Sequence, residues 1–324
     1  MTGGPVDQSG LDRIVDGKPL FDVLVRGRSS IDLTFMGLPH LPRLGEEYHV
    51  KGFAMNPGAA FINAAASARL GLRTGYATDL GNDFFSHYIQ DRLRTTGVDE
   101  RFIRFHDRDL TEISVGLSFP TDRTFITWDP VDDWDGRGVL LEDLERNTVR
   151  CIFTHRPLAA AVYAEARRRK VLICVDAFWD QPYLRSNRVW ESIEQADVFM
   201  PNLIEACTIT GKETAEEALA VLGGRVAMVS IKLGAAGTIG SYHGQPYRAP
   251  ALPVKVVDTT GAGDNFDAGL MYGLLHDLPF PECLRCGVVA GSLSTRCAGG
   301  VEGSATAEEM EAGLAKLGPA IRVE

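Results

Sequence analysis

The chain has 324 residues, which is enough for one large domain or two smaller ones. Its hydrophobic fraction of 45% and charged fraction of 23% are typical of a soluble globular protein and exclude a fibrous or largely disordered one. The net charge of -10 at pH 7 gives no general attraction to nucleic acid or to an acidic membrane surface, so neither is expected as a partner.

Signals for secretion or membrane insertion are not evident in the sequence. The first twenty residues lack a basic start followed by an apolar run, and no segment approaches 18 uninterrupted apolar residues. Six cysteines are scattered without secretory features, which favours free thiols and a cytoplasmic location. Cys283 and Cys286 form a C-x-x-C pair that a metal or redox site could use. Because no second pair or pair of histidines completes a zinc set, we favour two thiols on one helix.

The apolar pattern predicts the first elements of the chain. Residues 1–20 carry Gly, Pro, Asp and Ser with little pattern and are expected to form a loose tail. Residues 21–25 have the length and β-branched content of a buried strand. Turn-rich stretches within 28–55, SSIDLTFMG and EEYHVKG, suggest short antiparallel strands. From Gly58, small and apolar residues recur at helical spacing as far as Gly71, which predicts a helix.

A second β-rich stretch precedes a regular alternation of strands and helices. DFFSHYIQDRLRTTG predicts an amphipathic helix, and residues 111–128 predict two strands around a Pro-Thr-Asp turn. Beyond this hairpin, short apolar strands alternate with helices from CIFTH to VAMVSIKLG. Such alternation is typical of parallel βαβ units with helices on both faces of the sheet.

These elements predict an α/β fold, in which a mostly parallel sheet is flanked by helices and joined by a small discontinuous β-sheet. Residues 21–27, 56–109 and 129–324 are assigned to the α/β core. Residues 28–55 and 110–128 do not fit the parallel layer and are assigned to a β lid. Ligands of parallel sheets bind at the carboxyl ends of the strands, so we expect the lid to lie there.

The sequence DTTGAGDNFDAG, residues 258–269, joins a strand to a helix. Gly261, Ala262 and Gly263 leave the helix start free of bulky side chains, so its unpaired N–H groups and the helix dipole can hold a phosphate. Asp264 would repel that phosphate, and we interpret it as a base that takes a proton from an attacking hydroxyl. A plain helix start with a favourable charge is the alternative. Asp267 is expected to face away from Asp264 and to be solvated or structural.

The segment resembles the signature DTTGAGDxFxAG of the ribokinase-like (PfkB) family of sugar and nucleoside kinases. Other stretches are similar to family motifs, namely LGNDFF with LRTTGVDERFI, DRTFITW, ADVFMPNLIEA and SIKLGAAGTIG. The resemblance implies a Rossmann-like core under a β lid, with ATP and Mg²⁺ as cofactors. It implies transfer of the γ-phosphate to a hydroxyl of a sugar or nucleoside, with Asp264 as the base and residues 261–263 as the anion hole.

Other site residues follow from the same resemblance. Asp32 matches the lid aspartate that binds two sugar hydroxyls, and Gly58 and Asn63 lie where the substrate-contacting helix begins. The residues expected to border the nucleotide are Thr260, Lys232, Gly234 and Gly237. The resemblance also implies a homodimer through the lid strands and leaves open whether a monovalent cation binds.

Asn202 and Glu205 form an Asn-x-x-Glu pair at a predicted helix start, which is an ordinary capping box. Because a strand precedes it, the pair also lies at the ligand end of the sheet, where the resemblance assigns it to magnesium and phosphate. We expect both roles, with Glu205 binding Mg²⁺ directly or through a water molecule.

One segment, NPGAAFIN, departs from the family pattern. The positions of the usual Gly-Gly-x-x-x-Asn hold Pro57, Gly58 and Ile62, and Asn63 stands one residue late. One residue on a helix turns a side chain by about 100°, so contact of Asn63 with the sugar is in doubt, with Asn56 or the lid as the alternative. The altered segment keeps a second hypothesis open, that of a catalytically weak ligand-binding or regulatory protein on the same fold.

Overall fold

The computed structural model describes residues 14–15, 17–119, 123–131 and 140–323. The predicted Pro-Thr-Asp turn and residues 1–13 of the predicted tail lie outside them. The strands are β1 Ile14–Val15, β2 Lys18–Arg26, β3 Ser29–Met36, β4 Gly52–Ala59, β5 Thr74–Ala77, β6 Asp79–Leu80, β7 Arg104–Phe105, β8 Glu112–Ser118, β9 Arg123–Trp128, β10 Thr148–Thr154, β11 Leu172–Val175, β12 Val198–Phe199, β13 Met228–Lys232, β14 Thr238–Tyr242, β15 Gln245–Ala249 and β16 Ile321–Arg322.

The described part of the chain also forms α-helices. They are α1 Ala60–Arg69, α2 Phe84–Arg94, α3 Leu141–Arg146, α4 Ala160–Arg169, α5 Gln181–Leu184, α6 Asn187–Ile193, α7 Leu203–Thr210, α8 Ala215–Gly223, α9 Ala262–Leu275, α10 Phe280–Ser294 and α11 Ala307–Lys316. Within the described ranges, no helix combines the length and the apolar character needed to cross a bilayer.

The central sheet is mostly parallel. Strands β5-β2-β10-β11-β12-β13 run in that order and in the same direction. Strands β14, β15 and β16 continue the sheet in antiparallel pairs beyond β13. The carboxyl ends of the parallel strands therefore meet at one edge, where ligands of such sheets bind.

Helices cover both faces of this sheet. One hydrophobic core joins Val23 and Val25 of β2 to helices α1, α9 and α10. The other joins Leu24 of the same strand to helices α4, α7 and α8. Because neighbouring residues of a strand point to opposite faces, a strand segment buried on both sides is apolar, as Val23, Leu24 and Val25 of β2 are. The predicted α/β class is confirmed.

The two β-rich segments form a separate sheet with the order β4-β3-β8-β9, which we call the lid. Strand β3 pairs antiparallel with β4 and parallel with β8, and β8 pairs antiparallel with β9. Alternate residues of β3 face opposite sides of the lid. Ser30 and Asp32 share one side, whereas Ile31 and Leu33 share the other and pack on the core.

Arg28 joins the two lid segments where they meet the core. Its guanidinium donates to both carboxylate oxygens of Asp129, at 2.5 and 2.7 Å, and lies 3.8 Å from Glu112. Arg28 precedes β3, Glu112 begins β8 and Asp129 follows β9. One side chain therefore links three of the points at which the chain enters or leaves the lid.

Two predicted boundaries need correction. The predicted tail 1–20 is too long, because β1 pairs with the first residues of β2 and orders the chain from residue 14. The EEYHVKG segment is not a strand; β4 begins at Gly52 and runs to Ala59, so residues 56–59 belong to the lid ladder rather than to the core. Pro57 is tolerated there because β4 is an edge strand.

Candidate active site

Helix α9 begins at the glycine-rich turn, beside α1 and the loop at residues 299–300. Gly261 has a φ of 70°, a left-handed conformation that glycine adopts without strain. A Cβ atom at Gly261 would lie 3.0 Å from both the Cα of Gly300 and the Cδ1 of Ile62. The start of α9 therefore requires glycine at position 261 for two reasons, the backbone conformation and the close packing of its neighbours.

The first turn of α9 presents backbone N–H groups that have no helical partner. The N–H of Ala262 donates to the carbonyl of Thr259 at 3.2 Å, which closes the turn. The N–H groups of Gly263 and Asp264 follow at positions where a helix offers no earlier carbonyl. Of the three residues predicted for the anion hole, Gly263 is thus one whose N–H is left for an anion.

Asp264 lies in this first turn and is half-buried. Burial raises the pKa of its carboxyl to about 7; the Lys232 ammonium opposes the rise, and the carboxylates of Asp176 and Asp32 add to it. The charge of Asp32 in the lid therefore acts on the Asp264 carboxyl. A carboxyl with this pKa can both take up and release a proton near neutral pH.

Asp32 and Gly58 are neighbours on the side of the lid that carries Ser30. A Cβ atom at Gly58 would lie 2.5 Å from the Oδ2 of Asp32 and 2.7 Å from the Oγ of Ser30. The cross-strand partner of Asp32 is Asn56, and Asn56 lies against Gly299 on the far side. Gly58 therefore leaves room for the Asp32 carboxylate.

Asn63 is fully buried and contacts the backbone of the predicted base. Its Nδ2 donates to the carbonyl oxygen of Asp264 at 3.3 Å. Its Oδ1 is buried without a hydrogen-bond partner among the described residues. Ile62, the preceding residue, packs beside Gly261. Both residues at the altered family position thus touch the start of α9, and the described contact of Asn63 is with the protein backbone.

Asn265 was not predicted as a site residue, yet it fixes the same helix start. Its Nδ2 donates to the carbonyls of Gly261, at 2.9 Å, and Gly300, at 2.8 Å. The side chain therefore ties the turn of α9 to the neighbouring loop. The only sequence signal was a polar residue at a variable position of the signature.

Asn202 and Glu205 form the predicted capping box at the start of α7. The N–H of Glu205 donates to the Oδ1 of Asn202 at 2.9 Å, and the N–H of Asn202 donates to the Oε2 of Glu205 at 2.8 Å. Glu205 is buried, which raises the pKa of its carboxyl to about 7, with Asp176 adding to the rise. A buried carboxyl with this pKa loses its proton readily when a cation binds beside it.

Lys232 lies among carboxylates at the end of β13. Its Nζ donates to the Oδ2 of Asp176 at 2.8 Å and to both oxygens of Asp267, at 3.1 and 3.2 Å. Burial alone would lower the pKa of Lys232, but Asp176, Asp267 and Glu205 outweigh it and raise the pKa well above its usual value. The ammonium is therefore charged at neutral pH.

Asp267 is fully buried, so the prediction that it is solvated is wrong and the structural alternative is the better description. Three residues along a helix turn by about 300°, which returns a side chain nearly to the side it started from. Asp267 thus lies one turn beyond Asp264 rather than opposite it, within reach of Lys232. Asp176, the other partner of Lys232, directly follows β11 and was missed because a single aspartate after a strand carries no motif.

A cavity of about 510 Å³ opens beside the start of α9. Lys232, Gly234 and Gly237, for which a place beside a nucleotide is predicted, line it together with Ala262 and Gly263. The rest of its wall is largely apolar and includes Leu252, Val254, Val256, Phe266 and Val288. An apolar pocket next to exposed backbone donors suits a flat ring with an attached phosphate chain.

The side chain of Thr260 bonds to Asp258 and does not line this cavity. Its N–H and Oγ1 donate to the Oδ1 of Asp258 at 2.9 and 2.8 Å, and the Oδ2 of Asp258 accepts from the N–H of Gly299 at 3.0 Å. Thr260 therefore supports the loop beside the anion hole, and it is the neighbouring Thr259 that lines the cavity.

Cys283 and Cys286 lie on α10 within the hydrophobic core. Burial raises the pKa of both thiols to about 12, so they stay protonated. Cys283 packs against Gly273 of α9 and donates its S–H to the carbonyl of Leu278 at 3.3 Å. The contacts of the C-x-x-C pair are those of helix packing.

Comparison with known proteins places this arrangement in a family. The family model described as pfkB family carbohydrate kinase matches residues 21–307. The chain belongs to the PfkB family of carbohydrate kinases. This PfkB kinase is therefore an enzyme of the carbohydrate kinase class.

Relatives and solved structures cover nearly all of the kinase. The 5-dehydro-2-deoxygluconokinase of Bacillus subtilis is 26% identical over 324 residues, 90% of this chain and 95% of that protein. The structure of Arabidopsis thaliana ribokinase complexed with ribose and ATP has a TM-score of 0.77 and 24% identity, covering 91% of this chain and 98% of that one. An Escherichia coli protein described as a ribokinase II, in complex with ATP and Mg²⁺, has a TM-score of 0.73 and 20% identity, covering 91% and 99%.

Proposed function

We propose that the protein transfers the γ-phosphate of ATP to a hydroxyl of a sugar or nucleoside, with Asp264 as the general base. The observation that carries this proposal is the position and pKa of Asp264. Its carboxyl, with a pKa of about 7, lies in the first turn of α9, whose unpaired N–H groups suit a phosphate, and the charge of the lid residue Asp32 contributes to that pKa.

In the proposed reaction, Asp32 holds the acceptor so that one hydroxyl faces Asp264. Asp264 takes the hydroxyl proton as the oxygen forms its bond to the γ-phosphorus, and the bond from that phosphorus to the oxygen of ADP breaks. The N–H groups at the start of α9 donate to the phosphate oxygens as charge develops on them. Catalysis then consists mainly of positioning and charge stabilisation.

The donor set at the strand ends fits ATP with Mg²⁺. The cavity lined by Lys232, Gly234 and Gly237 would hold the nucleotide. Glu205, whose pKa burial and Asp176 raise to about 7, would release its proton and bind Mg²⁺ directly or through water. When bound, Mg²⁺ supplies positive charge to the phosphate oxygens.

The acceptor is best found with a panel of sugars, sugar acids and nucleosides, by measuring ADP release with ATP and Mg²⁺. Turnover of any member above the ATP hydrolysis rate supports the kinase, and the same assay in potassium and in tetramethylammonium salts tests the monovalent cation. Saturable binding without turnover of any member would favour the second hypothesis, a ligand-binding or regulatory protein. That alternative is motivated by Asn63, whose described hydrogen bond goes to the backbone of Asp264 rather than into the site.

We also propose that two copies of the chain pair through the lid. On the side of the lid away from Asp32, Phe53, Ile126 and Trp128 are 57%, 65% and 57% exposed. An uncharged apolar sheet face can pair with its own copy about a two-fold axis. Light scattering is expected to give the mass of two chains for the wild type and of one chain for Ile126→Lys with Trp128→Lys.

The cytoplasm is the proposed location. All six cysteines are free thiols, and the Sγ atoms of Cys151 and Cys174 lie 3.6 Å apart without a bond. A reducing compartment maintains such thiols. Fractionation of cells that produce the protein from its own gene tests this location directly.

A further inference from the structure

Lys232 carries a buried positive charge directly behind the start of α9. A Cβ atom at Gly263 would lie 3.6 Å from the Nζ of Lys232, so the ammonium touches a residue whose N–H is left for a phosphate. The side chain of Lys232 is 11% exposed, and it lines the same cavity as Gly263.

The hydrogen bonds of Lys232 leave a donor for that cavity. An ammonium has three N–H donors. One serves Asp176 at 2.8 Å, and the nearly equal distances of 3.1 and 3.2 Å to the two oxygens of Asp267 describe one shared donor. Because one N–H can be shared by both oxygens of a carboxylate, the third N–H is available to a ligand in the cavity that Lys232 lines.

We propose that Lys232 donates to the γ-phosphate held at the start of α9, and that Asp176 and Asp267 are positioning residues that aim its ammonium. This inference rests on the proposed function and deepens it. Asp176 and Asp267 bind Lys232, and the charges of Glu205 and Asp264 also act on it, so an anionic phosphate at this helix start meets several acidic groups. A fixed cation in a site closed to water offsets that repulsion far better than an exposed one.

A purely structural role for Lys232 is the competing explanation, because two buried carboxylates need a counter-charge. The double variant Lys232→Met with Asp267→Asn separates the two explanations. It removes the ammonium together with one of its two carboxyl partners, so only Asp176 is left without its cation. Lys232→Met alone leaves both carboxylates uncompensated and is expected to lower the melting temperature, which the double variant recovers at least in part.

The decisive measurement is the affinity for ATP relative to ADP, each titrated with Mg²⁺ by calorimetry. If Lys232 binds the γ-phosphate, the double variant loses about tenfold of the preference for ATP and keeps its ADP affinity, and kcat falls by about 10²–10³. Asp267→Asn alone, which keeps the cation but loosens its position, is expected to lower kcat less than the double variant does. Lys212→Met, at an exposed lysine after α7, is the matched control.

A double variant with the wild-type preference for ATP and a kcat within threefold of wild type would overturn the inference and leave Lys232 as a counter-charge only. Failure of the proposed function has a different signature. In that case the wild type phosphorylates no acceptor of the panel. The ATP and ADP titrations still decide whether Lys232 binds the γ-phosphate.

Discussion

The side-chain amide of Asn63 donates to the backbone carbonyl oxygen of Asp264, with 3.3 Å between the Nδ2 and O atoms. This bond joins the first turn of α1, which follows directly from the lid strand β4, to the first turn of α9. Asp264, the proposed base, is therefore positioned by the segment NPGAAFIN, in which the chain departs from the usual family pattern.

Asn63→Ala is expected to lower kcat about 10- to 100-fold, because small displacements of a catalytic group are costly. The KM for ATP should change little, since the cavity wall does not include Asn63. Steady-state kinetics together with thermal unfolding check this. Ser67→Ala, one turn further along the same buried face of α1, is the control; an equal loss of kcat in both variants would point to general loosening of the helix.

Asp264→Asn is expected to reduce turnover by about 10²–10⁴, the usual contribution of general base catalysis, while ATP binding persists. Because the pKa of Asp264 is about 7, the wild-type rate should fall as the pH drops below 7, where the base becomes protonated. The rate of the variant should not show this fall at low pH. A variant that keeps more than a tenth of wild-type turnover would exclude Asp264 as the base.

The same substitution should stabilise the protein without ligands. Aspartate has a pKa of about 3.9 in an unfolded chain, whereas that of Asp264 is raised to about 7 in the folded one, so the folded state binds the proton more tightly. Stability is therefore lost as the pH rises from about 4 to about 7. Asp264→Asn removes this loss, and its melting temperature should exceed that of wild type more at pH 8 than at pH 5. Asp109→Asn, at an exposed aspartate, should show no such difference.

Gly58→Ala is expected to weaken acceptor binding. The new methyl group would lie 2.5 Å from the Oδ2 of Asp32, and the carboxylate must rotate to make room. The KM for the acceptor should rise about tenfold or more, with the KM for ATP unchanged. Gly224→Ala, where the nearest atom would be 3.5 Å away, serves as the control. An unchanged acceptor KM in Gly58→Ala would mean that Asp32 does not bind the acceptor.

Ala59→Gly should stabilise the fold. Ala59 has a φ of 53° and a ψ of -142°, a conformation that is favourable only for glycine. Relief of this strain should raise the free energy of unfolding by about 1 kcal/mol, measured by urea denaturation. Ala68→Gly within α1 should lower it by a similar amount, because glycine destabilises a helix interior. A loss of stability in Ala59→Gly would show that Ala59 is not strained.

Most of the fold was predictable because its signals are local. Apolar strands such as β2, alternating with helices, define a parallel sheet, and the DTTGAGDNFDAG segment marks the start of α9. The extent of the lid was harder to predict, since Pro57 and Gly58 are poor strand residues that an edge strand tolerates. Ala59 was equally unexpected, because its positive φ follows from the sharp change from β4 to α1.

The parts of the site that were missed depend on distant pairs. Lys232 and Asp176 are brought together only because β13 and β11 end at the same edge of the sheet. Asp267 could have been placed correctly from its spacing of three residues after Asp264. Asn265 could not, because its partner at Gly300 lies in a loop after α10 whose course no sequence pattern describes.

The order of strands in the central sheet also governs how the chain must assemble during synthesis. Leu24 of β2 pairs on one side with Gly75 of β5 and on the other with Ile152 of β10. One edge of β2 is thus filled soon after it leaves the ribosome, whereas the other stays open until the second half of the chain begins to emerge. Open apolar edges invite pairing with other chains, so a nascent chain stalled between these points is at greatest risk of aggregation. Helix α9, with Asp264, arrives only after the parallel strands are complete, and it docks on a platform that already exists.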